Sequence, residues 1–197
     1  MTSLPVRALI ALTFSQLLAA APAALPDDPA CTAEDRRFMK RAYELAREGV
    51  ASGNAPFGAL LVKDGKVLAE YHNRVSTMTN VIQHAETGLL AKFSPVIDRA
   101  TFAASTLYAS SEPCTMCCGT IRFAGIGRVV YGVTETQFVQ MITGSVEPNP
   151  LASKEVFART APKVKVLGPL MESEGLVDHA KYWPSHSNPT RKLQGKE

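Results

Sequence analysis

The stretch Pro113-Cys114-Thr115-Met116-Cys117, together with His84-Ala85-Glu86 some thirty residues earlier, carries the strongest chemical signal in this chain. Cys114 and Cys117 are three residues apart, which places both thiols on one face of a helix. With the imidazole of His84 they offer three ligands of the kind that Zn²⁺ prefers. Three protein ligands leave one tetrahedral position open, which is typical of a catalytic zinc site. Glu86 is then available to move protons.

Each motif alone has other interpretations. His-x-Glu occurs often by chance, and a single C-x-x-C is also found as a redox pair or as half of a zinc ribbon. The sequence contains no second C-x-x-C, which disfavours the ribbon. A redox pair does not require an accompanying His-x-Glu, so the combination favours a metal-dependent hydrolase. A non-catalytic, zinc-stabilised protein is the alternative, and Glu86 argues against it because structural zinc needs no proton carrier.

Length and charge limit the possible classes of protein. A chain of 197 residues can form one domain with a substantial core, and 46% hydrophobic with 20% charged residues is ordinary for a globular protein. The formal net charge is +3, and three basic residues lie within the last seven positions. The remainder is close to neutral, so a nucleic-acid partner is not expected.

Residues 1–24 have the pattern of a secretory signal peptide. Arg7 precedes an apolar run from Ala8 to Leu18, and Ala21-Pro22-Ala23 matches a cleavage site. The run is too short and too interrupted for a membrane span. We therefore expect an exported protein, periplasmic or secreted, with no membrane attachment after processing. Without cleavage the segment would be an N-terminal extension or a misassigned start, and the protein cytoplasmic.

The rest of the chain predicts helices and strands around the two motifs. Thr32-Ala33-Glu34-Asp35 has the form of a capping box, and Asp64-Gly65 between two apolar runs indicates a β-hairpin. Pro113 occupies the favoured first position of a helix, and strand, helix and strand in short succession favour a right-handed parallel crossover. The predicted helices cover residues 33–52, 84–93, 113–124, 154–159 and 171–183, the strands cover 57–62, 67–71, 107–109, 128–133 and 164–167, and the loops cover 75–83, 94–105 and 141–153.

From about Phe38 to Trp183 the chain resembles the cytidine-deaminase-like superfamily of zinc deaminases. The resemblance rests on Asn54-Ala55-Pro56-Phe57-Gly58-Ala59, on His84-Ala85-Glu86 and on Ser111-Glu112-Pro113-Cys114-Thr115-Met116-Cys117, in the family's order and spacing. Guanine deaminases and bacterial nucleoside deaminases are most similar, followed by tRNA adenosine deaminases and fungal-type cytosine deaminases. The resemblance implies an α/β fold, a three-layer α/β/α arrangement with a five-stranded mixed sheet. It also implies a homodimer, with a zinc deaminase domain at residues 25–183 and a mobile tail at 184–197.

The same resemblance assigns roles at the metal motif. It implies one Zn²⁺ per chain, held by His84, Cys114 and Cys117 at the strand ends, with Glu86 as the catalytic proton shuttle.

Four further residues are candidates for substrate binding. Asn73 matches an amide that hydrogen-bonds the base in the family, and its alternative is a turn asparagine. Phe57 and Phe123 are candidate stacking faces, or ordinary core residues. Phe123 stands where guanine deaminases carry a Trp. Glu147 is the candidate for the second carboxylate of guanine deaminases, and its alternative is a solvated loop acid.

Together these features predict hydrolytic deamination of a nucleobase at the C–N bond of a cyclic amidine. Guanine or a related aminopurine or triazine is the first expectation, and cytosine or a nucleoside is the alternative. A tRNA adenosine deaminase is less favoured, because basic residues are few and a signal peptide would separate the enzyme from tRNA. A small-molecule nucleobase or nucleoside is thus the expected partner.

Overall fold

The computed structural model describes residues 23–143 and 151–186. Five strands form one sheet: β1 Gly58–Lys63, β2 Lys66–His72, β3 Thr106–Ser111, β4 Arg128–Val133 and β5 Lys165–Leu167. The helices are α1 Ala33–Ala51, α2 Val75–Met78, α3 Ala85–Phe93, α4 Arg99–Ala103, α5 Thr115–Ala124, α6 Glu135–Thr143, α7 Ser153–Ala158 and α8 Glu172–Tyr182, followed by a 3₁₀ turn at Trp183–Ser185.

The sheet is mixed, with strand order β2-β1-β3-β4-β5. Strand β1 pairs antiparallel with both β2 and β3, whereas β3, β4 and β5 run parallel. The parallel part follows from the helical crossovers α5 and α7, since parallel neighbours need a long connection. The carboxyl ends of β3 and β4 therefore lie side by side at one edge of the sheet, and the motif containing Cys114 begins directly beyond it.

Two helical layers cover the sheet, which confirms the predicted three-layer α/β/α class. On one face, α1 and α8 bury a cluster that includes Phe38, Tyr43 and Leu176. On the other face, α3, α5 and α7 bury a second cluster that includes Leu89 and Ile121. Each helix thus presents an apolar side to the sheet, as burial of its hydrophobic surface requires.

Local sequence signals explain the start of α1 and the hairpin between β1 and β2. The predicted capping box is present, because the Thr32 hydroxyl accepts the Asp35 N–H at 3.1 Å and the Asp35 carboxylate accepts the Thr32 N–H at 2.8 Å. Asp64 and Gly65 both have positive φ, 51° and 70°, as a two-residue type I′ hairpin requires. The hairpin between β1 and β2 is therefore also confirmed.

The structure differs from the sequence-based prediction at several element boundaries. Pro113 is not the first residue of α5: Cys114 is the N-cap and the helix begins at Thr115. Segments predicted as loops contain α2 and α4, and α4 starts where the Asp98 carboxylate accepts the Thr101 N–H at 2.7 Å. Helix α6 was not predicted, and the predicted loop at 141–153 begins inside it. These helices are short, so their apolar periodicity is weak.

Residues 1–22 of the predicted signal peptide and residues 187–197 of the predicted tail lie outside the described residues. Within the described ranges, every helix is too short or too polar to span a membrane.

Candidate active site

Two helix N-termini meet at the metal motif. His84 is the N-cap of α3 and Cys114 is the N-cap of α5, and both have extended backbones, with ψ of 165° and 169°. Neither side chain caps its own helix by a hydrogen bond. Both are therefore free to point into the space between the helices. Cys117 reaches the same space from the first turn of α5, as the i, i+3 spacing predicts.

The three predicted ligands come together in a compact triangle. Cys114 Sγ lies 3.6 Å from Cys117 Sγ and 3.7 Å from His84 Nδ1, and Cys117 Sγ lies 3.6 Å from the same nitrogen. With Zn–S bonds of about 2.3 Å and Zn–N bonds of about 2.0 Å, tetrahedral coordination requires separations of about 3.5–3.8 Å between these atoms. In the described part of the chain, this trio is the one group of His, Cys, Asp and Glu ligand atoms that lie within 4.8 Å of one another.

The ionisation of the thiols also fits a cation at this position. The hydrogen bond between the two thiols lowers the pKa of Cys114 to about 4. The same hydrogen bond, together with burial, raises the pKa of Cys117 well above its usual value. Ionisation of half-buried Cys114 therefore disfavours ionisation of buried Cys117. A divalent cation shared by the two sulfurs removes this conflict, because its charge stabilises both thiolates.

Glu86 lies at the site without belonging to the ligand triangle. Its carboxyl is 7% exposed, and Oε2 lies 3.5 Å from Cys117 Sγ. Burial, and next the negative charge of Cys114, raise the pKa of Glu86 to about 7. A carboxyl group with a pKa near neutrality can both accept and donate a proton, which is what an acid–base catalyst needs.

Asn73, just after the end of β2, and Phe57, just before the start of β1, are neighbours. The backbone N–H of Asn73 donates to the carbonyl of Phe57 at 2.9 Å. The side-chain oxygen of Asn73 accepts the N–H of Val75 at 3.1 Å, which fixes the turn into α2. Its oxygen is therefore committed to the backbone, and the amide NH₂ is the group available to a substrate.

The remaining two substrate-binding candidates, Phe123 and Glu147, stay predictions. Phe123 lies near the C-terminal end of α5, and its side chain is 75% exposed under the guanidinium of Arg122. Glu147 lies outside the described residues.

An aromatic cluster behind Phe57 was not foreseen from the sequence. The ring of His179 lies 5.2 Å from Phe57, 5.5 Å from Phe138 and 6.2 Å from Trp183. The Trp183 indole N–H donates to His179 Nδ1 at 2.9 Å, and His179 Nε2 lies 3.0 Å from the Ser111 hydroxyl. Burial lowers the pKa of His179 to about 3, so the ring is neutral. His179 is thus a structural residue, consistent with its lack of metal-ligand spacing.

Glu135 is a second buried carboxyl that sequence reasoning missed. It is the first residue of α6, two residues after β4 ends, and it is 7% exposed. Its Oε2 has no hydrogen-bond partner in the described chain. Burial, and then the charges of Cys114, Glu112 and Glu86, raise its pKa to about 7. The available signal was its position, because an acid shortly after a parallel strand lies at the edge of the sheet where the metal motif begins.

Glu112 fixes the backbone around this edge. Its Oε2 accepts the Glu135 N–H at 3.2 Å, and its Oε1 accepts the N–H and hydroxyl of Ser153 at 2.9 and 2.7 Å. One buried carboxylate thereby ties the end of β3 to the starts of α6 and α7.

The fold and the three-ligand site with an adjacent buried glutamate define a zinc-binding deaminase domain. Residues 32–133 match the model of the family described as "Cytidine and deoxycytidylate deaminase zinc-binding region". The chain belongs to this family, and His84, Cys114 and Cys117 form its candidate zinc site.

Curated relatives with different substrates resemble the chain. A "Probable cytosine deaminase" of Schizosaccharomyces pombe is 31% identical over 156 residues, covering 76% of this chain and 93% of that protein. Guanine deaminase of Bacillus subtilis is 42% identical over 100 residues, covering 50% of this chain and 64% of the relative. A tRNA-specific adenosine deaminase of Agrobacterium fabrum is 36% identical over 103 residues, covering 52% and 68% respectively.

Solved structures agree in fold. A tRNA:A34 deaminase superposes with a TM-score of 0.58 at 30% identity, covering 72% of this chain and 98% of that one. Guanine deaminase from Nitrosomonas europaea superposes with a TM-score of 0.62 at 23% identity, covering 78% and 86%.

Proposed function

We propose that this protein is a zinc-dependent hydrolase that deaminates a free nucleobase, with guanine or a related aminopurine or triazine as the first candidate. The observation that carries the proposal is the buried carboxyl of Glu86 beside a triangle of three ligand atoms. A structural zinc site needs no such group. The similarity to the B. subtilis guanine deaminase, the highest identity among the three relatives above, supports the choice of base.

The chemistry assigned to the chain is the replacement of an amino group by oxygen. Zinc, when bound by His84, Cys114 and Cys117, supplies a Lewis acid that acidifies water. Glu86 accepts a proton from the attacking water and delivers it to the neighbouring ring nitrogen. A C–O bond forms at the ring carbon, the C–N bond then breaks, and the amine leaves as ammonia after a second proton transfer. The balance is one water consumed and one ammonia released.

Asn73 and Phe57 are assigned to binding of the base. The amide NH₂ of Asn73 donates to an acceptor on the ring edge, because its oxygen already holds the turn. Phe57 offers one edge of the aromatic cluster around His179 as an apolar wall. In this assignment the start of β1 and the end of β2 form one side of the pocket, and the N-termini of α3 and α5 form the other.

Cytosine is the second candidate substrate, and one observation favours it. The similarity to the S. pombe protein extends over 93% of that relative, whereas the similarity to guanine deaminase covers 64%. A base within tRNA is a weaker candidate. The net charge is only +3 and three basic residues lie in the C-terminal segment, so the rest of the chain has little positive charge to bind phosphates.

We also propose that the enzyme is a homodimer. Apolar side chains are exposed on α5 and in the segment before α3, among them Phe123, Met116 and Ile82. A second copy would remove them from water. Light scattering should give twice the chain mass, and replacement of Phe123 by Ser should shift it towards the single-chain value.

The final part of the proposal is export, motivated by the signal-like residues 1–24. Mature protein should begin near Ala24. Intact Met1–Ala23 on the protein in the cytoplasm would contradict export.

Ammonia release is the test of the catalytic proposal. Zinc-loaded protein is incubated with guanine, cytosine, adenine, their nucleosides and aminotriazines. We expect guanine or an aminotriazine to give the highest kcat/KM. A maximum for cytosine would select the second candidate, and no ammonia from any compound would refute the deaminase function.

A further inference from the structure

Glu135 is a buried acceptor without a donor. Its Oε2 is shielded from solvent and makes no hydrogen bond in the described chain, although almost all buried polar side-chain atoms in proteins are paired. Leaving such an atom unpaired is costly, and more so for a charged group. In the described chain the backbone at this point is held by Glu112 through the Glu135 N–H, and Oε2 of Glu135 adds no hydrogen bond to it.

The carboxyl of Glu135 lies within the electrostatic reach of the metal motif. Since β3 and β4 run parallel, Glu135, two residues after β4, and Cys114, three residues after β3, leave the sheet at the same edge. In agreement with this placement, the charges of Cys114, Glu112 and Glu86 raise the pKa of Glu135 and the charge of His84 lowers it. It is nevertheless outside the group of ligand atoms that lie within 4.8 Å of one another. Within the described residues, Glu135 is therefore placed beside the site, outside the ligand triangle and with Oε2 unpaired.

The chemistry of nucleobases narrows what a buried carboxylate can bind there. It can accept a hydrogen bond from an N–H, and the exocyclic amine is occupied at the reaction centre. In cytosine the donor that remains is the ring N–H that carries the sugar in cytidine. Guanine has the corresponding ring N–H and one further ring N–H. A carboxylate acceptor that meets the ring N–H at the sugar-bearing nitrogen thus distinguishes a free base from its nucleoside.

We propose that Glu135 accepts the ring N–H that a sugar replaces in nucleosides, and that it thereby selects free bases. This inference rests on the proposed function, because it assumes that a base occupies the site. Glu135 is a specificity-determining residue in this account, and it lies beyond residue 133, where the match to the family model ends.

If Glu135 serves substrate selection and not folding, its replacement should not lower the thermal stability. Replacing Glu135 by Leu removes the unpaired acceptor and keeps a side chain of similar length. Since an unsatisfied buried polar group is lost, the melting temperature of the E135L variant should equal or exceed that of the unmodified protein. An exposed carboxylate of α7 provides the control, Glu155→Leu.

The selection of free bases is tested directly by measuring their binding to a variant that does not turn them over. Zinc-loaded Glu86→Gln protein is titrated calorimetrically with guanine, cytosine and their N-alkylated counterparts, 9-methylguanine and 1-methylcytosine. We expect at least one free base to bind at least about tenfold more tightly than its N-methyl form. A site built around a polar substrate group rejects analogues that lack it. In Glu86→Gln/Glu135→Leu this ratio should fall to about one, and in Glu86→Gln/Glu155→Leu it should be unchanged.

The outcomes separate this inference from the proposed function. Equal affinity for free and N-methylated bases with Glu135 present, an unchanged preference after Glu135→Leu, or no binding of any base would overturn the role of Glu135. Failure of the unmodified enzyme to release ammonia, with the binding preference intact, would refute deamination and leave base selection standing. Equal loss of affinity for all ligands in the E135L variant would make Glu135 a general packing residue and would also overturn the inference.

Discussion

Oε2 of Glu86 lies 3.5 Å from Sγ of Cys117, although the two residues come from different helices. Glu86 and His84 are only two residues apart, and on a regular helix their side chains would point to different faces. The contact is possible because His84 is the N-cap of α3 and has an extended backbone. The entry of the chain into α3 therefore places a ligand and a proton carrier at one site.

Removal of a thiol ligand should cost metal and stability together. Cys117→Ala leaves two of the three ligand atoms, and the binding energy of a structural or catalytic metal is also folding free energy. We expect zinc content well below one per chain and a lower melting temperature. Metal analysis and thermal unfolding measure both quantities.

Cys118 provides the matched control for that variant. It is the adjacent cysteine, fully buried, and its thiol points to the Pro113 carbonyl at 3.2 Å. Cys118→Ala should lose packing stability and retain zinc. Full zinc content in Cys117→Ala would remove Cys117 from the ligand set.

Two variants of Asn73 separate its turn role from its proposed binding role. Asp keeps the oxygen that accepts the Val75 N–H and removes the NH₂ donor, whereas Ala removes both. We expect Asn73→Asp to retain the fold and its zinc and to lose about 10² or more in kcat/KM, because a buried polar partner is left unpaired. Asn73→Ala should lose activity and stability. Normal kcat/KM in Asn73→Asp would make Asn73 a turn residue only.

Lowering the pH should reduce the free energy of unfolding, because unfolding exposes buried His179 to protonation. Its folded pKa of about 3 lies below the value of about 6.5 for an unfolded histidine, so the unfolded chain binds more protons between these values. The full stability is present above about pH 6.5. It falls by about 1.4 kcal/mol per pH unit as the pH drops from about 6.5 towards 3. Denaturant unfolding at several pH values measures this slope.

Acid also releases a bound metal, so the pH dependence of stability must be compared between the unmodified protein and His179→Gln. The difference between the two is the contribution of His179. Gln can accept the Trp183 N–H and donate to Ser111, yet it does not titrate in this range. Its free energy of unfolding should depend less steeply on pH, by about one proton. Identical slopes in both proteins would show that His179 does not titrate on unfolding.

Local chemistry in the sequence was sufficient for the metal motif, the capping box and the hairpin. Each depends on residues only a few positions apart, or on ligand types that tolerate few other interpretations. Five strands and the layer order followed from the resemblance and from apolar runs. The helix boundary at Pro113 was misplaced by two residues, because Cys114 serves both as N-cap and as ligand candidate.

Contacts between distant segments could not be inferred in the same way. His179 contacts Ser111 across 68 positions, and its aromatic neighbours come from the β1 entry, α6 and the C-terminal turn. Glu135 is significant only because β4 delivers it to the sheet edge beside Cys114. Phe123 had the right residue type for stacking, yet its position on α5 leaves it exposed in the single chain.

The measurement closest to the central claim is zinc content and single-turnover deamination by Glu86→Gln. Gln keeps the size and hydrogen-bonding capacity of the side chain but cannot carry the proton. Because Glu86 lies outside the ligand triangle, we predict about one zinc per chain and substrate affinity comparable to the unmodified enzyme, with turnover reduced by about 10²–10⁴-fold or more. Loss of zinc would make Glu86 a ligand, and near-normal turnover with full zinc would contradict its role as the proton carrier.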